Sequence, residues 1–298
     1  MVGRSASKRG AVAGRATGLT AVQDRWLNGN GTSGGLLAPF VQGDMPTALL
    51  PDLSLVIPTY RQAGVIQAQV ADVLAKLDSL DLRYEVLVVV DGDDDRTATE
   101  LSALEHEHEH LRVAVLARNA GKGNAVRRGL LSLGGRARAF LDGGGDIPAR
   151  CLLDAYDVFQ RSKADIVVGS KLHPNSAVEY PPLRRVYSWG YRQLTRTMFG
   201  LNVRDTQAGL KIYSAAVVEQ VFPHVRTRGF AFDIEALALA WRLGFHRIVE
   251  SPVVIRDRFA TTIRATHVLG IFAETIMAWW RLRRFGPDKH GSYRTQTD

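Results

Sequence analysis

The segment Asp142-Gly143-Gly144-Gly145-Asp146 combines the residue types best suited to chemistry in this chain. Two carboxylates flank a run of glycines, and glycines let a backbone approach a ligand closely. Carboxylate oxygens suit Mg²⁺ or Mn²⁺, and such an ion could neutralise the diphosphate of a leaving nucleotide. We therefore predict that Asp142 and Asp146 bind a divalent metal ion. The alternative interpretation is a glycine turn with two exposed aspartates.

A second glycine-rich segment, NAGKGNA at residues 119–125, connects a predicted strand to a predicted helix. The glycines permit a tight turn, a helix start offers free N–H groups, and Lys122 adds positive charge. We predict that an anion binds there, although the spacing of a P-loop is absent. A plain connection between strand and helix is the alternative.

Short apolar runs separated by helical periods must position these two segments. This alternation predicts an α/β domain whose strands are covered by helices. In open α/β sheets, ligands collect at the carboxyl ends of the strands, where both segments lie. The first predicted helix has an apolar stripe made of Ile66, Val70, Val73, Leu74 and Leu77. Predicted strands cover residues 53–58, 86–90, 113–116, 137–141, 166–168, 210–213 and 248–255, and further predicted helices cover 183–199 and 234–243.

The composition predicts one large domain with an anionic partner. With 298 residues, 46% of them hydrophobic, the chain can bury one core, which we assign to a catalytic domain at residues 51–258. Residues 1–50 are rich in small residues and arginine and predict a disordered basic arm. The net charge of +8 suits a nucleotide, a lipid phosphate, an acidic membrane or nucleic acid. No aromatic-basic module accompanies the charge, which argues against nucleic acid.

The C-terminal segment, residues 259–298, combines an amphipathic helix with a basic tail. Its apolar stripe consists of Val268, Ile271, Phe272, Thr275, Ile276 and Trp279, and it ends in Trp280 and arginines. Such a helix suits a headgroup region, so we predict peripheral membrane contact. Packing of the same stripe against the catalytic core is the alternative. No run of about 20 apolar residues predicts a membrane-spanning helix.

Cysteine and histidine usage adds two smaller predictions. Cys151 is the only cysteine, so no internal disulfide can form, and we expect a packing residue in a cytosolic protein. The run EHEHEH at residues 105–110 could bind a metal, since histidines stand beside carboxylates. Because no second ligand cluster accompanies it, we favour a solvated surface turn.

Several motifs, taken in order, resemble family 2 glycosyltransferases. They are VIPTY at residues 56–60, VVVDG at 88–92, the N-x-G-K-G segment at 119–123 and the acidic loop at 142–146. The segments DTQAGLK at 205–211 and GFAFDIE at 229–235 are similar to those of the dolichyl-phosphate glucosyltransferase and mannosyltransferase branch. The resemblance covers residues 53–257.

This resemblance implies a GT-A fold, which is a Rossmann-like, mixed and mostly parallel sheet flanked by helices. It also implies roles for individual residues on the donor side. Pro58, Thr59 and Asp91 would bind the nucleotide. Lys122 would lie near the donor, and Asp142 would hold the metal and the diphosphate.

On the acceptor side, the resemblance implies that Asp205, Gln207 and Lys211 border the sugar and the acceptor. Asp233 stands where many family members carry a catalytic carboxylate, and Asp205 is the second catalytic candidate. A helix N-cap is the alternative role for Asp233.

Polyprenyl-phosphate enzymes of this family place an acceptor loop in the stretch from Lys171 to Phe199. Arg184 precedes Ser188 by four residues on a predicted helix, which puts both side chains on one face. A guanidinium and a hydroxyl could together clamp a phosphate, and a basic surface helix is the alternative. The predicted acceptor-phosphate residues are Lys171, Arg184, Ser188, Gln207 and Lys211.

The resulting hypothesis is an inverting transfer of a hexose from a nucleotide sugar to a polyprenyl or dolichyl phosphate at the cytoplasmic face of the membrane. Because a phosphate is already anionic, alignment and charge stabilisation suffice, and Asp233 or Asp205 is needed as a base only for a hydroxyl acceptor. The alternatives are a soluble hydroxyl acceptor and a noncatalytic nucleotide-binding protein. The latter is favoured by departures from the family pattern at Arg61, Val90 and Gly144. The oligomeric state is not predicted.

Overall fold

The computed structural model describes residues 50–177, 182–255, 265–284, 286–287 and 293–294, with the side chains of 182–189, 265–269, 286–287 and 293–294 excepted. Strands and helices alternate through most of this part of the chain, as the apolar runs predict. The strands are β1 (Leu53–Thr59), β2 (Tyr84–Val90), β3 (Leu111–Val115), β4 (Ala137–Leu141), β5 (Ile166–Ser170), β6 (Leu210–Ser214), β7 (Ile248–Pro252), β8 (Gly286–Pro287) and β9 (Tyr293–Arg294). The helices are α1 (Ile66–Asp78), α2 (Thr97–Glu107), α3 (Lys122–Ser132), α4 (Ala149–Ser162), α5 (Pro182–Phe199), α6 (Ala215–Val221), α7 (Phe232–Arg242) and α8 (Ala265–Arg284).

Seven of the strands form one mixed sheet in the order β3-β2-β1-β4-β6-β5-β7. Neighbouring strands run parallel except at β6, which is antiparallel to both β4 and β5. Parallel strands need crossover connections, and α1, α2 and α3 supply them between the first four strands. The mixed, mostly parallel sheet predicted from the sequence is therefore confirmed.

Helices cover both faces of the sheet, so its central strands are buried on both sides. Every residue of β1 is buried, which explains why this strand reads as a continuous apolar run. Ala139 on β4 belongs to the core that includes α1, whereas the neighbouring Phe140 contacts Phe232 of α7 with ring centroids 5.6 Å apart. The predicted stripe of α1 is fully buried, and each such side chain contributes about 1.5–3 kcal/mol relative to exposure.

The last strand of the large sheet is shorter than predicted. It was expected to reach Ile255 but ends at Pro252. Proline has no N–H to donate to a β-ladder, so pairing stops there. Val254 forms only an isolated bridge with Ala177.

Helix α7 begins two residues earlier than predicted, at Phe232. Its N-cap is Ala231, and no side chain accepts a capping hydrogen bond there. The alternative role of Asp233 as a helix cap is therefore wrong, because this residue already lies within the first turn.

Helix α8 packs against α5. The ring of Phe272 meets that of Tyr191 edge-on, with centroids 5.6 Å apart. Thr275 is buried, and Trp279 donates its indole N–H to the carbonyl of Met198 at 2.8 Å. Phe272, Thr275 and Trp279 of the predicted stripe thus pack against α5, whereas Ile276 is exposed. None of the helices within the described ranges combines the length and the apolarity that crossing a bilayer requires.

The histidine–glutamate run forms the last turn of α2 and the turn that follows it. Glu105 accepts a hydrogen bond from the amide of Val113 at 2.9 Å, and the ring of His110 lies 4.7 Å from that of Tyr84. No group of three or more metal-ligating side chains occurs among the described residues. The run is a surface turn attached to two strands.

Cys151 is buried, and its sulfur accepts a weak hydrogen bond from the amide of Val254 at 3.4 Å. The predicted packing role is confirmed. Residues 1–49 and 256–264 lie outside the described residues, so the basic arm and the boundary near residue 258 stay predictions.

Candidate active site

Four of the predicted donor residues lie together at the carboxyl edge of the sheet. β1 ends at Thr59, while Asp91 and Asp142 directly follow β2 and β4. Backbone hydrogen bonds join these ends, since Asp91 N donates to Thr59 O at 2.8 Å and Gly143 N to Pro58 O at 3.2 Å. The Thr59 hydroxyl is buried and has no partner among the described residues. It therefore keeps its capacity to bind a ligand.

Strand β6 brings the second group of predicted residues to the same edge. Because β6 runs opposite to β4, its first residue, Leu210, pairs with Leu141, the last residue of β4. The preceding segment, 205–209, therefore lies beside the acidic loop. Asp142 N donates to Gly209 O at 2.8 Å, and a Cβ on Gly209 would lie 2.2 Å from an Asp142 carboxylate oxygen. This close approach requires glycine.

Lys122 and Asp142 form an ion pair in the middle of the site. The lysine Nζ lies 2.7 Å from Oδ1 and 2.9 Å from Oδ2 of the aspartate. The same ammonium lies within 5.5–5.9 Å of the ring centroids of Phe140, Phe230 and Phe232. Cation–π attraction thus helps to hold it at the sheet edge. Two of the residues that the motifs assign to the donor are thus brought together.

Asp91 binds the start of α3. Its carboxylate accepts hydrogen bonds from the amides of Ala120 and Gly121, at 2.7 and 2.8 Å. Asp91 is buried, and a buried carboxylate is stabilised by N–H groups and by the positive end of a helix. The sequence predicts free N–H groups at this helix start, but these two amides are already bound to Asp91.

The glycines of the N-x-G-K-G segment serve a close contact with the loop that precedes α7. Gly121 has a φ of +96°, and a Cβ there would lie 2.4 Å from Arg228 O. Asn124 N donates to the same carbonyl at 3.2 Å. The sequence predicts a tight turn at an anion site, and in the structure the glycines of this segment make room for residues 227–229.

Lys211 and Asp233 form a second ion pair, and this one is inside the core. Their atoms Nζ and Oδ1 are 2.6 Å apart, with side chains 0% and 2% exposed. Lys211 also donates to Ala208 O at 2.9 Å. Burial raises the pKa of Asp233 and lowers that of Lys211, while their mutual attraction opposes both shifts. In this arrangement Lys211 binds Asp233 and presents no exposed atom to an acceptor phosphate, contrary to the predicted role.

The two ion pairs form one electrostatic cluster. The charge of Lys122 lowers the pKa of both Lys211 and Asp233, and that of Asp142 raises the pKa of Asp233, although burial is the larger cause in each case. Lys211 lies 5.2 Å from the centroid of Phe140, the ring that Lys122 also approaches. Alternating charges thus extend from the core to the open edge of the sheet.

Asp205 organises the acceptor side of the site. Its two carboxylate oxygens accept hydrogen bonds from Lys171 N at 3.0 Å and Gln207 N at 3.2 Å. The Gln207 side chain donates to the Tyr191 hydroxyl at 3.0 Å, and that hydroxyl shares a 2.9 Å hydrogen bond with Thr275. Three predicted acceptor residues are thus linked to α5 and α8. The backbone of Arg184 and Ser188 is helical as predicted, but their side chains lie outside the described residues.

Sequence reasoning missed several residues that support the site. The Gln69 side chain donates to Asp142 O at 2.6 Å, a contact across 73 positions that no local pattern signals. Glu235 is buried and accepts from Thr227 N at 2.6 Å and from both Nε and a terminal nitrogen of Arg281, at 3.2 and 3.0 Å. Glu235 stands in a motif already singled out, and Arg281 in the basic end of α8. Their pairing attaches α8 to α7, and Arg281 also donates to the Thr227 hydroxyl in the loop before α7 at 2.6 Å.

The acidic loop offers a donor set that suits a divalent cation. Carboxylate oxygens are hard ligands, and Mg²⁺ is usually bound by one or two carboxylates together with substrate phosphates and water. Asp142 is partly exposed, and a Cβ on Gly144 would lie 3.9 Å from Asp146 Oδ2, so both carboxylates border the loop. Asp142 and Asp146 fit such an ion once the Lys122 ammonium no longer pairs with the Asp142 carboxylate.

Comparison with known proteins identifies the family. Residues 54–222 match the model described as glycosyl transferase family 2. The chain belongs to glycosyl transferase family 2. The resemblance carried by the ordered motifs is thereby confirmed, and with it the predicted class of hexosyltransferase enzyme.

Relatives in family 2 extend the match beyond the family segment. Dolichyl-phosphate beta-glucosyltransferase from Saccharomyces cerevisiae is 28% identical over 261 residues, covering 74% of this chain and 77% of that protein. The Drosophila melanogaster protein of the same name is 30% identical, covering 69% of this chain and 66% of its own. Dodecaprenyl-phosphate galacturonate synthase from Rhizobium johnstonii is 28% identical, and the match covers 57% of this chain and 50% of that protein.

Solved structures confirm the GT-A fold. Mannosyl-3-phosphoglycerate synthase from Rubrobacter xylanophilus superposes with a TM-score of 0.62 at 14% identity, covering 78% of this chain and 74% of that one. Glucosyl-3-phosphoglycerate synthase from Mycobacterium tuberculosis was solved with Mn²⁺, UDP and glucosyl-3-phosphoglycerate. It superposes with a TM-score of 0.58 at 18% identity, covering 84% of this chain and 88% of that one. At these identities the likeness concerns the fold.

Proposed function

We propose that this family 2 enzyme transfers a hexose, with inversion, from a nucleotide sugar of the UDP-glucose or GDP-mannose type to a polyprenyl or dolichyl phosphate. One observation carries the acceptor class: both candidate catalytic carboxylates are bound internally. Asp233 pairs with Lys211 inside the core, and Asp205 accepts two backbone N–H groups. The Asp233 carboxylate is therefore buried away from an acceptor hydroxyl, and that of Asp205 is already engaged in ordering the backbone. A lipid phosphate needs no base, because it is anionic at neutral pH.

The names of the relatives support the same acceptor class. The yeast and Drosophila proteins are dolichyl-phosphate glucosyltransferases, and the Rhizobium protein is a dodecaprenyl-phosphate galacturonate synthase. Each name pairs a sugar with a polyprenyl-type phosphate. The sugars differ, so the donor of this enzyme has to be found by assay.

On the donor side, Asp142 and Asp146 would hold Mg²⁺ or Mn²⁺. Bound there, the ion supplies positive charge to the departing diphosphate. Lys122 adds a second positive charge by moving from Asp142 to the diphosphate, and the rings of Phe230 and Phe232 keep its ammonium within reach. Such preorganised charge is usually the largest contribution to catalysis of this kind.

On the acceptor side, Lys171, Arg184 and Ser188 would bind the lipid phosphate, and Gln207 would border the sugar. Asp205 supports this assignment, since it orders the backbone at Lys171 and Gln207. Orientation of an anionic nucleophile against the anomeric carbon can supply much of the rate enhancement without a base.

Helix α8 would contact the cytoplasmic face of the membrane through the side that the domain leaves exposed. Ile276, Met277 and Trp280 are 45%, 52% and 54% exposed, and Arg283 and Arg284 beside them are exposed cations. An apolar face edged by arginines suits an interface with anionic lipids. This face shares Ile276 with the predicted stripe, whereas Phe272, Thr275 and Trp279 of that stripe pack against α5.

The test is sugar transfer from a panel of UDP- and GDP-hexoses, with Mg²⁺ or Mn²⁺, to a short-chain polyprenyl phosphate. We expect transfer with one donor class, and we expect Asp142→Ala to abolish it. The matched control is Asp157→Ala, which removes an exposed carboxylate on α4 and should leave transfer unchanged. Transfer to a sugar or glycerate hydroxyl but not to the lipid phosphate would overturn the acceptor class. Nucleotide binding without transfer to either would favour the noncatalytic alternative.

A further inference from the structure

A cavity of about 250 Å³ lies at the C-terminal end of α5, formed where the chain reverses. Gly200, with a φ of +69°, ends the helix, and its amide donates to Arg196 O at 2.9 Å. The chain then returns along the last two turns of α5, with Leu201 and Val203 buried as the floor of the cavity. The polar residues that line the cavity are Arg192, Gln193, Arg196, Asn202 and Arg204.

The charge of this cavity is positive. Arg192 and Arg196 are one helical turn apart, so their guanidinium groups are neighbours that repel each other. Neither forms an ion pair within the described part of the chain, and no acidic residue lines the cavity. Glu250, the partner of Arg204, lies 3.7 Å from its Nε and also accepts from the Arg204 amide. The attraction of cations to a helix C-terminus accounts for Arg192 and Arg196 but not for Arg204, which lies outside the helix.

We propose that this arginine pocket, which the proposed reaction does not use, binds an oxyanion of the phosphate class. Guanidinium groups bind phosphate oxygens through paired charge-assisted hydrogen bonds, and the amides of Gln193 and Asn202 add neutral donors. The carbonyl end of α5 disfavours an anion on the helix axis, so the flanking guanidinium groups provide the attraction. The cavity has room for a phosphate group with its first waters, since a water occupies about 30 Å³ of liquid.

Two sources can supply such a group, namely a phospholipid headgroup and free phosphate. The pocket lies on α5 close to α8, because Met198 accepts from Trp279 on that helix. The residues that line the pocket differ from the lipid-phosphate residues proposed above, and the first of them, Arg192, lies one helical turn beyond Ser188 on α5.

The experiment compares wild type with Arg192→Gln/Arg196→Gln and with the single variant Arg204→Gln. Binding of inorganic phosphate is measured by calorimetry, and binding to vesicles of phosphatidylcholine with or without phosphatidic acid by flotation. We expect each variant to lose about tenfold or more in affinity for at least one probe, as fits the loss of a charge-assisted contact. Loss in the phosphate arm alone identifies a soluble ligand, and loss in the phosphatidic acid arm identifies a headgroup.

Two controls separate this pocket from other basic surfaces. Arg150→Gln/Arg161→Gln removes the same charge from α4 and should bind both probes like wild type. Lys122→Met removes the cation of the donor site and so identifies any phosphate that binds there, which makes failure of this proposal distinguishable from failure of the proposed reaction. Equal binding of both probes by wild type and the two pocket variants would overturn the proposal, as would equal losses in the α4 control.

Discussion

The ammonium of Lys122 holds both carboxylate oxygens of Asp142, at 2.7 and 2.9 Å. Lys122 is the first residue of α3 and Asp142 directly follows β4, and both are among the positions that the motifs assign to the donor. A divalent cation and this ammonium would compete for the same carboxylate. The donor site is therefore poised for an exchange, in which Lys122 leaves Asp142 when the metal and diphosphate arrive.

Replacing Lys122 should affect metal binding and catalysis in opposite directions. In Lys122→Met, Mn²⁺ should bind several-fold more tightly without nucleotide, because a competing cation is lost, whereas kcat/KM for the donor should fall about 10²-fold. Electron paramagnetic resonance of Mn²⁺ and initial rates measure the two effects. Lys76→Met, on the exposed side of α1, should change neither. Weaker Mn²⁺ binding in Lys122→Met would contradict the exchange.

Breaking the buried Lys211–Asp233 pair should destabilise the domain. Asp233→Asn leaves an uncompensated ammonium in the core, which should lower the free energy of unfolding by about 3–5 kcal/mol. Urea unfolding followed by circular dichroism measures the loss. Asp157→Asn breaks an exposed pair with Arg161, and its effect should stay below about 1 kcal/mol. A small effect of Asp233→Asn would mean that the carboxylate is kept for a reason other than stability.

Tyr191 should make stability depend on alkaline pH. Burial raises its pKa from 10.0 to about 12, so the unfolded chain loses this proton at lower pH than the folded protein does. The contribution is complete below pH 10 and is lost as the pH rises towards 12. From pH 10 to pH 12 the free energy of unfolding should fall in both proteins, and the fall should be about 2 kcal/mol smaller in Tyr191→Phe than in wild type. Tyr60→Phe, with an exposed ring, should follow wild type, and identical slopes for all three proteins would refute the prediction.

The exposed face of α8 should contribute to membrane binding but not to the rate of sugar transfer. Trp280→Ser should reduce flotation with anionic vesicles several-fold, because it removes a large apolar side chain from the proposed interface. Transfer to a water-soluble short-chain acceptor should not change. Trp241→Ser is the matched control, since this tryptophan is 38% exposed on α7, and it should float like wild type. Equal losses in both variants would point to a general surface effect.

Much of the fold could be predicted because burial on both faces leaves continuous apolar runs. Strand β4 has the predicted bounds, and the other strands of the large sheet differ by up to three residues at an end. The direction of β6 could not be predicted, because LKIYS has the same local pattern in either orientation. Its position between β4 and β5 depends on contacts that are distant in sequence.

The location of the site was predicted better than the partners of its residues. Asp91 and Lys211 lie where the motifs indicate, yet each binds another part of the protein. A lysine in a short strand gives no sign that it is buried, since that depends on Asp233 more than twenty residues later. Glu235 and Arg281 are a similar case, because their hydrogen bond joins two helices that are separate in sequence.

The antiparallel insertion of β6 has a consequence for engineering this enzyme. Asp142 N donates to Gly209 O, and β6 continues this hydrogen-bond ladder along β4. The acidic loop and the segment before β6 are therefore held together by the sheet. A chimera that takes only residues 205–209 from a relative would change the segment that contacts the acidic loop while leaving that loop unchanged. To exchange acceptor preference between relatives, residues 205–209, β6 and the acidic loop should therefore be transferred together.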